Sequence, residues 1–191
     1  MSAVTPEKVR VGDVVEVAML KHRNVNDKVR ARSVVHVLLT GPDSEIKYEE
    51  WGENLITDYG DEHLAVRIFD DTALIVTGMR LGTGVAAATK AGAGSFIGTY
   101  ISGSNEDLDG VATDTDKGAG SGHRATHVCT WIAGDVTNGA ISEFALSDET
   151  PLTDVQGTAI NTIARFVPAA TIDKQSGDQL VVTWHIDILG A

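Results

Sequence analysis

The sequence predicts a mainly β protein: an antiparallel β-sandwich, jelly-roll-like, with one short α-helix. Three observations carry the prediction. About nine short segments are apolar or alternate apolar and polar residues at strand length, clusters of turn-forming residues separate them, and only one stretch shows helical spacing. A chain of 191 residues buries roughly 70% of its unfolded surface, so its core needs neither disulfide nor metal. The single cysteine, Cys129, excludes an internal disulfide.

The clearest strand is the last, "VVTWHIDIL". Val182, Trp184, Ile186 and Ile188 point one way, and Val181, Thr183, His185 and Asp187 the other. In chain order the other strand candidates are "VVEVAML" (14–20), "VRARSVVHVLLT" (29–40), "EIKYEEW" (45–51), "ALIVTGMRL" (73–81), "SFIGTYI" (95–101), "RATHVCTWI" (124–132), "AISEFAL" (140–146) and "INTIARFV" (160–167). Turn chemistry stands at "TGPDS" (40–44), "AGDVTNGA" (133–140) and "KQSGDQ" (174–179). The helix is read in "TDYGDEHLAVRIFDD". There Leu64, Ala65, Ile68 and Phe69 share a face, Asp58 is the expected cap, and Asp61 and Glu62 suit the positive end of the helix dipole. Gly60 is the weak point of that helix. From Lys90 to Gly122 the composition turns to Gly, Ser, Thr and Asp, and residues 102–122 read as one long loop, of a length that is usually functional or mobile.

Charge divides the chain. Residues 1–32 hold seven Lys/Arg against four Asp/Glu, a net +3, while residues 33–191 hold eight against 23, a net −15. The acidic body is expected to repel nucleic acid, whose binding needs a basic stripe. No apolar stretch approaches the ~20 residues of a membrane span, and "MSAVTPEKVRVGDVV" lacks the apolar core of a secretion signal. The expectation is a soluble chain made in a cytosol. Residues 1–32 form either a basic assembly arm or the first hairpin of the sandwich, and residues 33–191 form the sandwich domain.

Four patterns invite a chemical reading. "GTGVAA" (82–87) follows a strand and has the letters of a dinucleotide-binding turn, with Glu106 and Asp107 near the expected acidic spacing. The seven residues "VAAATKA" cannot make the crossover helix of a βαβ unit, which needs a dozen or more. The glycines are read instead as positions of positive φ where the chain leaves one sheet for the other. "NEDLDGVATDTD" sets Asn105, Asp107, Asp109, Gly110 and Asp116 at positions 1, 3, 5, 6 and 12 of a calcium loop. The first is Asn, the last is not Glu, and no helix flanks the loop, so a solvated acidic loop is the plainer reading. His123, His127 and Cys129 are soft-metal ligand types without a fourth partner nearby. Among the three tryptophans, Trp184 is read as core, Trp131 is ambiguous, and Trp51 is the best candidate for an exposed aromatic. No nucleophile elbow, HExxH or CxxC motif occurs. These observations assign no catalytic, cofactor or metal residue.

From about Val34 onward the order of features resembles a loose group of tailed-bacteriophage virion proteins. The resemblance rests on a hairpin, "VVHVLLTGPDSEIKYEEWGE", a helix opened by "NLITDYG", and a strand into "GMRLGTG". A variable Gly/Ser/Asp loop and closing strands of the type "ISEFALSD" and "IARFVPAATIDKQSGDQLVVTWHIDI" complete it. Its most specific parts are "N-L-I-T-x-x-G", "L-G-T-G" and "K-x-x-G-D-x-L-V-V-T-W", and it covers about three quarters of the chain. It implies a non-enzymatic virion structural protein, a head-decoration (cement) or tail component. Such a protein packs against other virion proteins as a homo-oligomer, with no nucleic-acid or membrane partner and no cofactor. An outward-facing acidic body keeps such particles soluble. Two alternatives are a carbohydrate-binding adhesion module of a fibre, using the 102–122 loop with Trp51 or Trp131, and a metal-assisted hydrolase.

Overall fold

The protein is described from a computed structural model, which covers residues 30–69, 74–118, 122–150 and 152–189. Two five-stranded sheets enclose one core. Sheet A has the order β2-β1-β12-β7-β6, formed by Ile46–Glu53, Arg30–Thr40, Gln179–Leu189, His123–Trp131 and Thr113–Asp116. Sheet B has the order β3-β10-β9-β4-β5, formed by Leu55–Ile56, Thr162–Phe166, Glu143–Ser147, Gly78–Gly82 and Glu106–Asp107. A small pair, β8 (Asn138–Ile141) with β11 (Ile172–Lys174), stands beside them. Every pairing is antiparallel, and three long-range pairs nest, β1 with β12, β3 with β10 and β4 with β9, while β8 with β11 crosses the inner two. The chain is doubled back on itself and rolled, which is the jelly-roll-like sandwich the strand pattern predicts.

The strands of sheet A alternate because one face is dry and one is wet. Val35, Val37 and Leu39 of β1, Cys129 and Trp131 of β7, and Leu180, Val182, Trp184 and Ile186 of β12 are all buried. They meet Met79, Leu81, Phe144, Leu146, Ile163, Ala164 and Phe166 from sheet B. The indole nitrogens within this core are satisfied locally. Trp184 Nε1 donates to Ser33 Oγ (2.9 Å), and Trp131 Nε1 to the Ser104 carbonyl (3.0 Å). At the solvent end of β12 the alternation fails: Ile188 is exposed, and Asp187 is buried between Arg124 and Lys117.

Sheet B differs. All five residues of each of β4, β9 and β10 are buried, because its outer face lies beneath a helix and coil. Polar side chains are therefore trapped there and paired. Arg165 Nη2 meets Glu143 Oε2 at 2.7 Å with neither side chain accessible. Arg165 also donates to the Gly94 carbonyl, and Glu143 accepts from the Gly98 and Thr99 amides.

Helix α1 spans Asp58–Phe69 and packs on β10. Its cap is Thr57 rather than Asp58: Thr57 Oγ1 accepts from the Gly60 amide (2.9 Å) while donating to the Thr162 carbonyl (2.6 Å). Ala65 is exposed, and the inward face is carried by Tyr59, Gly60, His63 and Leu64. Gly60 is required by contact, since a Cβ there would stand 2.0 Å from the Ile163 carbonyl oxygen.

Five further readings of the sequence are corrected. Residues 95–101 are not a strand: a 3₁₀ turn occupies Gly92–Ser95, and only Tyr100 bridges to Gly82. The backbone there is pinned by the Glu143 carboxylate instead of a ladder. "AISEFAL" is two strands, because Ser142 carries the chain from β8 to β9, its amide and hydroxyl donating to the Gly82 and Gly84 carbonyls. The 102–122 segment is not one continuous loop, since β5 and β6 extend both sheets from it. Within "LGTG", Gly82 and Gly84 serve close approach rather than positive φ: Cβ atoms there would meet Ile97 Cγ2 at 2.6 Å and Glu143 Oε1 at 1.6 Å. The strand read at 73–81 is shorter, with its ladder starting at Gly78. "VVEVAML" (14–20) lies outside the described residues.

Candidate functional site

Two surfaces combine several elements. The first is the wet face of sheet A along its edge strand β2. Residues two apart share a strand face, which sets Lys47, Glu49, Trp51 and Glu53 in one row. Register places Trp51 opposite His36, and the two rings stack at 4.1 Å and 9°. The His185 ring is nearly parallel to the indole, its centroid 6.0 Å away. Trp51 therefore lies flat on the sheet with one side against imidazole, and it is 59% exposed. Its neighbours are anchored: His36 Nε2 to Glu49 Oε1 (3.0 Å), Arg32 to Glu53 (2.8 Å), and His185 Nδ1 to the Thr126 hydroxyl (3.0 Å). Lys47 is drawn to buried Asp178 at 2.8 Å, which raises the lysine's pKa and lowers the carboxyl's. Further along the face Asp187, held by Arg124 and Lys117, has its pKa lowered to about 2, chiefly by the Arg124 hydrogen bond.

The second surface is a cleft of about 760 Å³ between α1, residues 75–77, the β5–β6 connection and β7. Its wall is mainly apolar, with Leu64, Ile75, Leu108 and Val111, and two histidines stand in it. His63 Nδ1 lies 2.8 Å from Asp148 Oδ2, which also accepts from the Tyr59 hydroxyl at 2.7 Å. A carboxylate only accepts, so the His63 proton sits on Nδ1. Burial and the bonded carboxylate push the Tyr59 phenol up. His127 is 6% exposed, and its Nδ1 has no partner. Burial first, then the neighbouring His63 and His185, lower its pKa from 6.5 to about 4, so it is neutral at pH 7.

The structure separates the residues that sequence spacing grouped as ligands. Asp109 is spent on the Thr130 amide and hydroxyl, Asp116 on the Gly118 amide, and Asn105 on the Tyr100 hydroxyl. Asp107 accepts the Cys129 thiol through its main-chain carbonyl, and Gly110 lines the cleft. His127 and Cys129 share the inner face of β7, but exposed His123 pairs with Asp114 instead. Burial pushes the Cys129 thiol up. Among the described residues no group of three or more His, Cys, Asp or Glu is placed to hold a metal ion, and no helix is long and apolar enough to cross a membrane. Glu106 and Asp107 pair with Met79 and Gly78 as β5, so they contribute a ladder rather than a ribose contact. Trp131 and Trp184 are core, and Trp51 is the exposed tryptophan.

Sequence reasoning missed His36 and His185, which only strand register brings to Trp51, and the His63–Asp148 pair, whose members stand 85 residues apart. The repeat of apolar and polar positions in β1 and β12 places His36 and His185 on a wet face but does not make them neighbours. No family model, curated protein or solved structure matches the chain.

Proposed function

We propose that the chain is a non-enzymatic structural protein of a bacteriophage virion, a head-decoration or tail component that works by protein–protein packing in a symmetric assembly with other copies and other virion proteins. One observation carries the reading: the residues behind the resemblance are spent on joining the sheets. In "NLITDYG", Leu55 and Ile56 form β3, Thr57 caps α1, and Gly60 admits the Ile163 carbonyl. In "LGTG" the glycines make room for Ile97 and Glu143. In "KQSGDQLVVTW", Lys174 is buried against the Ile132 and Asp135 carbonyls, Asp178 binds Lys47, and Trp184 fills the core. These residues specify a rigid scaffold, and what such a scaffold offers a partner is its faces and edges.

The test is copy number on purified particles, by quantitative mass spectrometry against the shell protein. Hundreds of copies mark a shell component, and small multiples of three, five or six mark a tail or vertex part. Absence from particles sinks the proposal. A second reading, a glycan-binding adhesion module, is favoured by the flat exposed indole of Trp51 with carboxylates on both sides. Specific glycan-array binding that is lost in Trp51→Ala would support it over the first.

A further inference from the structure

We propose that the edge of β2, free among the described residues, receives the segment preceding β1, with its basic flank at residues 21–29, supplied by a neighbouring copy of the chain. A lysine or arginine of that segment sits on the Trp51 indole between Glu49 and Glu53. This rests on the reading of the protein as a packing component, and it names the contact.

The edge comes first. Among the described residues β2 is the longest strand at a sheet edge, with eight residues against four in β6 and two each in β3 and β5. Its outer row of main-chain donors and acceptors is a template for one more strand. A second β2 is the wrong addition. Residues 43–53 carry Asp43, Glu45, Glu49, Glu50 and Glu53 against one lysine, and that lysine is turned to Asp178. Like charges across a ladder are destabilising, so this edge rejects its own kind and favours a strand flanked by Lys and Arg.

The seat comes next. The indole stacks on His36, lies nearly parallel to His185, and is still 59% exposed. A cation over an open indole is attracted by the ring quadrupole. Carboxylates two residues away on each side add charge-assisted hydrogen bonds.

The donor is set by sequence. Residues 1–29 lie outside the described residues, and they contain "VVEVAML" followed directly by Lys21, Arg23 and Lys28. The run is of strand length and carries Glu16 and no base, and its flank at 21–29 carries three Lys/Arg against Asp27. Origin in a neighbour follows from topology. β1 begins at the corner where β2 ends, since Val34 pairs with Glu53. To reach this edge the same copy's segment, joined to Arg30 at that corner, would have to cross the end of β2 and add in parallel. An antiparallel addition from the same copy spends residues 21–29 almost fully drawn out, roughly 30 Å, merely to return along the strand. A second copy supplies the antiparallel ladder, the more stable of the two, without that constraint. The contact is head-to-tail, so it closes into a ring or grows along a lattice.

Charge reversal in the full-length protein tests this by sedimentation velocity, with circular dichroism and thermal melts as folding controls. One variant carries Glu49→Lys and Glu53→Lys, and a second carries Lys21→Glu, Arg23→Glu and Lys28→Glu. Expected are an assembling wild type and two folded, monomeric variants. Their equimolar mixture assembles, because each arm then meets an edge of opposite charge, and so does one chain carrying all five changes. Trp51→Ala weakens self-association on the order of tenfold. If both variants assemble like wild type, the contact is wrong while the packing role stands. If the variants melt early but keep their oligomeric state, the segment belongs to its own copy and the inference is overturned. A wild type that stays monomeric and is absent from particles removes both proposals.

Discussion

Arg165 and Glu143 are neighbours that no sequence spacing announces. Each sits mid-strand among apolar residues, and their pairing is the condition for burying either one. Removing one partner strands a charge in the interior, which costs about 3–5 kcal/mol. Glu143→Ala is therefore expected to lower stability by that amount in urea melts, and to free the 92–99 segment that Glu143 and Arg165 hold. A loss below about 1 kcal/mol would mean that the pair is solvated. Combining it with Arg165→Met should recover part of the loss, because coupled neighbours are not additive. His127 makes a prediction of opposite chemistry. Its folded pKa of about 4 lies below the ordinary 6.5, so the unfolded chain takes up the proton first. Its contribution is complete above pH 6.5, falls as pH drops towards 4, and is flat below. Full depression across that window is worth ~3 kcal/mol. His185, also lowered by burial, acts in the same direction, so His127→Gln should flatten most but not all of the slope. Asp187 acts in a lower window: its salt-bridged carboxylate stabilises fully above 3.8, and that is lost as pH falls to about 2. Stability followed by urea midpoint from pH 7 to pH 2 separates the two windows.

Elements differ in how readable they are, and the reason is what covers their faces. β1, β7 and β12 have one dry face and one wet face, so apolar and polar residues alternate and the strands declare themselves. β4, β9 and β10 are covered on both sides. There "GMRLG", "EFALS" and "TIARF" mix Arg and Glu into a dry environment, and their extents came out wrong by a few residues or, at Ser142, by a change of sheet. Residues 95–101 had strand-like composition, but their amides were taken by a carboxylate 45 residues away. Of the candidate site, Trp51 was legible as a large aromatic on a charged strand. Its histidine neighbours, and the cleft, required register and a roll that local patterns do not encode. Helix α1 gives the sharpest tests. Gly60→Ala improves intrinsic helix propensity by about 1 kcal/mol, yet its new methyl meets the Ile163 carbonyl. The net result should be destabilisation by about 1–3 kcal/mol in chemical denaturation, and a stabilised variant would show that α1 does not rest on β10. Thr57→Ala should cost about 1 kcal/mol through the lost cap, with Thr57→Ser largely restoring it.

The described residues enclose one apolar core, and nothing in their carboxylates requires a cation. Thermal midpoints should accordingly be the same in chelator and in millimolar calcium. A calcium-dependent rise, which mass action demands of any site that binds only the folded state, would overturn the placement of Asp107, Asp109 and Asp116 described above. The pairing of β1 with β12 reaches furthest of all. Sheet A joins residues 30–40 to residues 179–189, so its central strand and one of that strand's two neighbours are synthesised far apart in time. At ~5–20 residues per second, β1 leaves the ribosome many seconds before the strand that will cover it. Until β12 emerges, Val35, Val37 and Leu39 have no partner on that side, and the free edge of a half-built sheet is open to any strand nearby. The topology thus makes this a slow, non-local folder. Nascent chains stalled before Gln179 should be protease-sensitive throughout and bound by chaperones. Emergence of Gln179–Leu189 should convert them in one cooperative step.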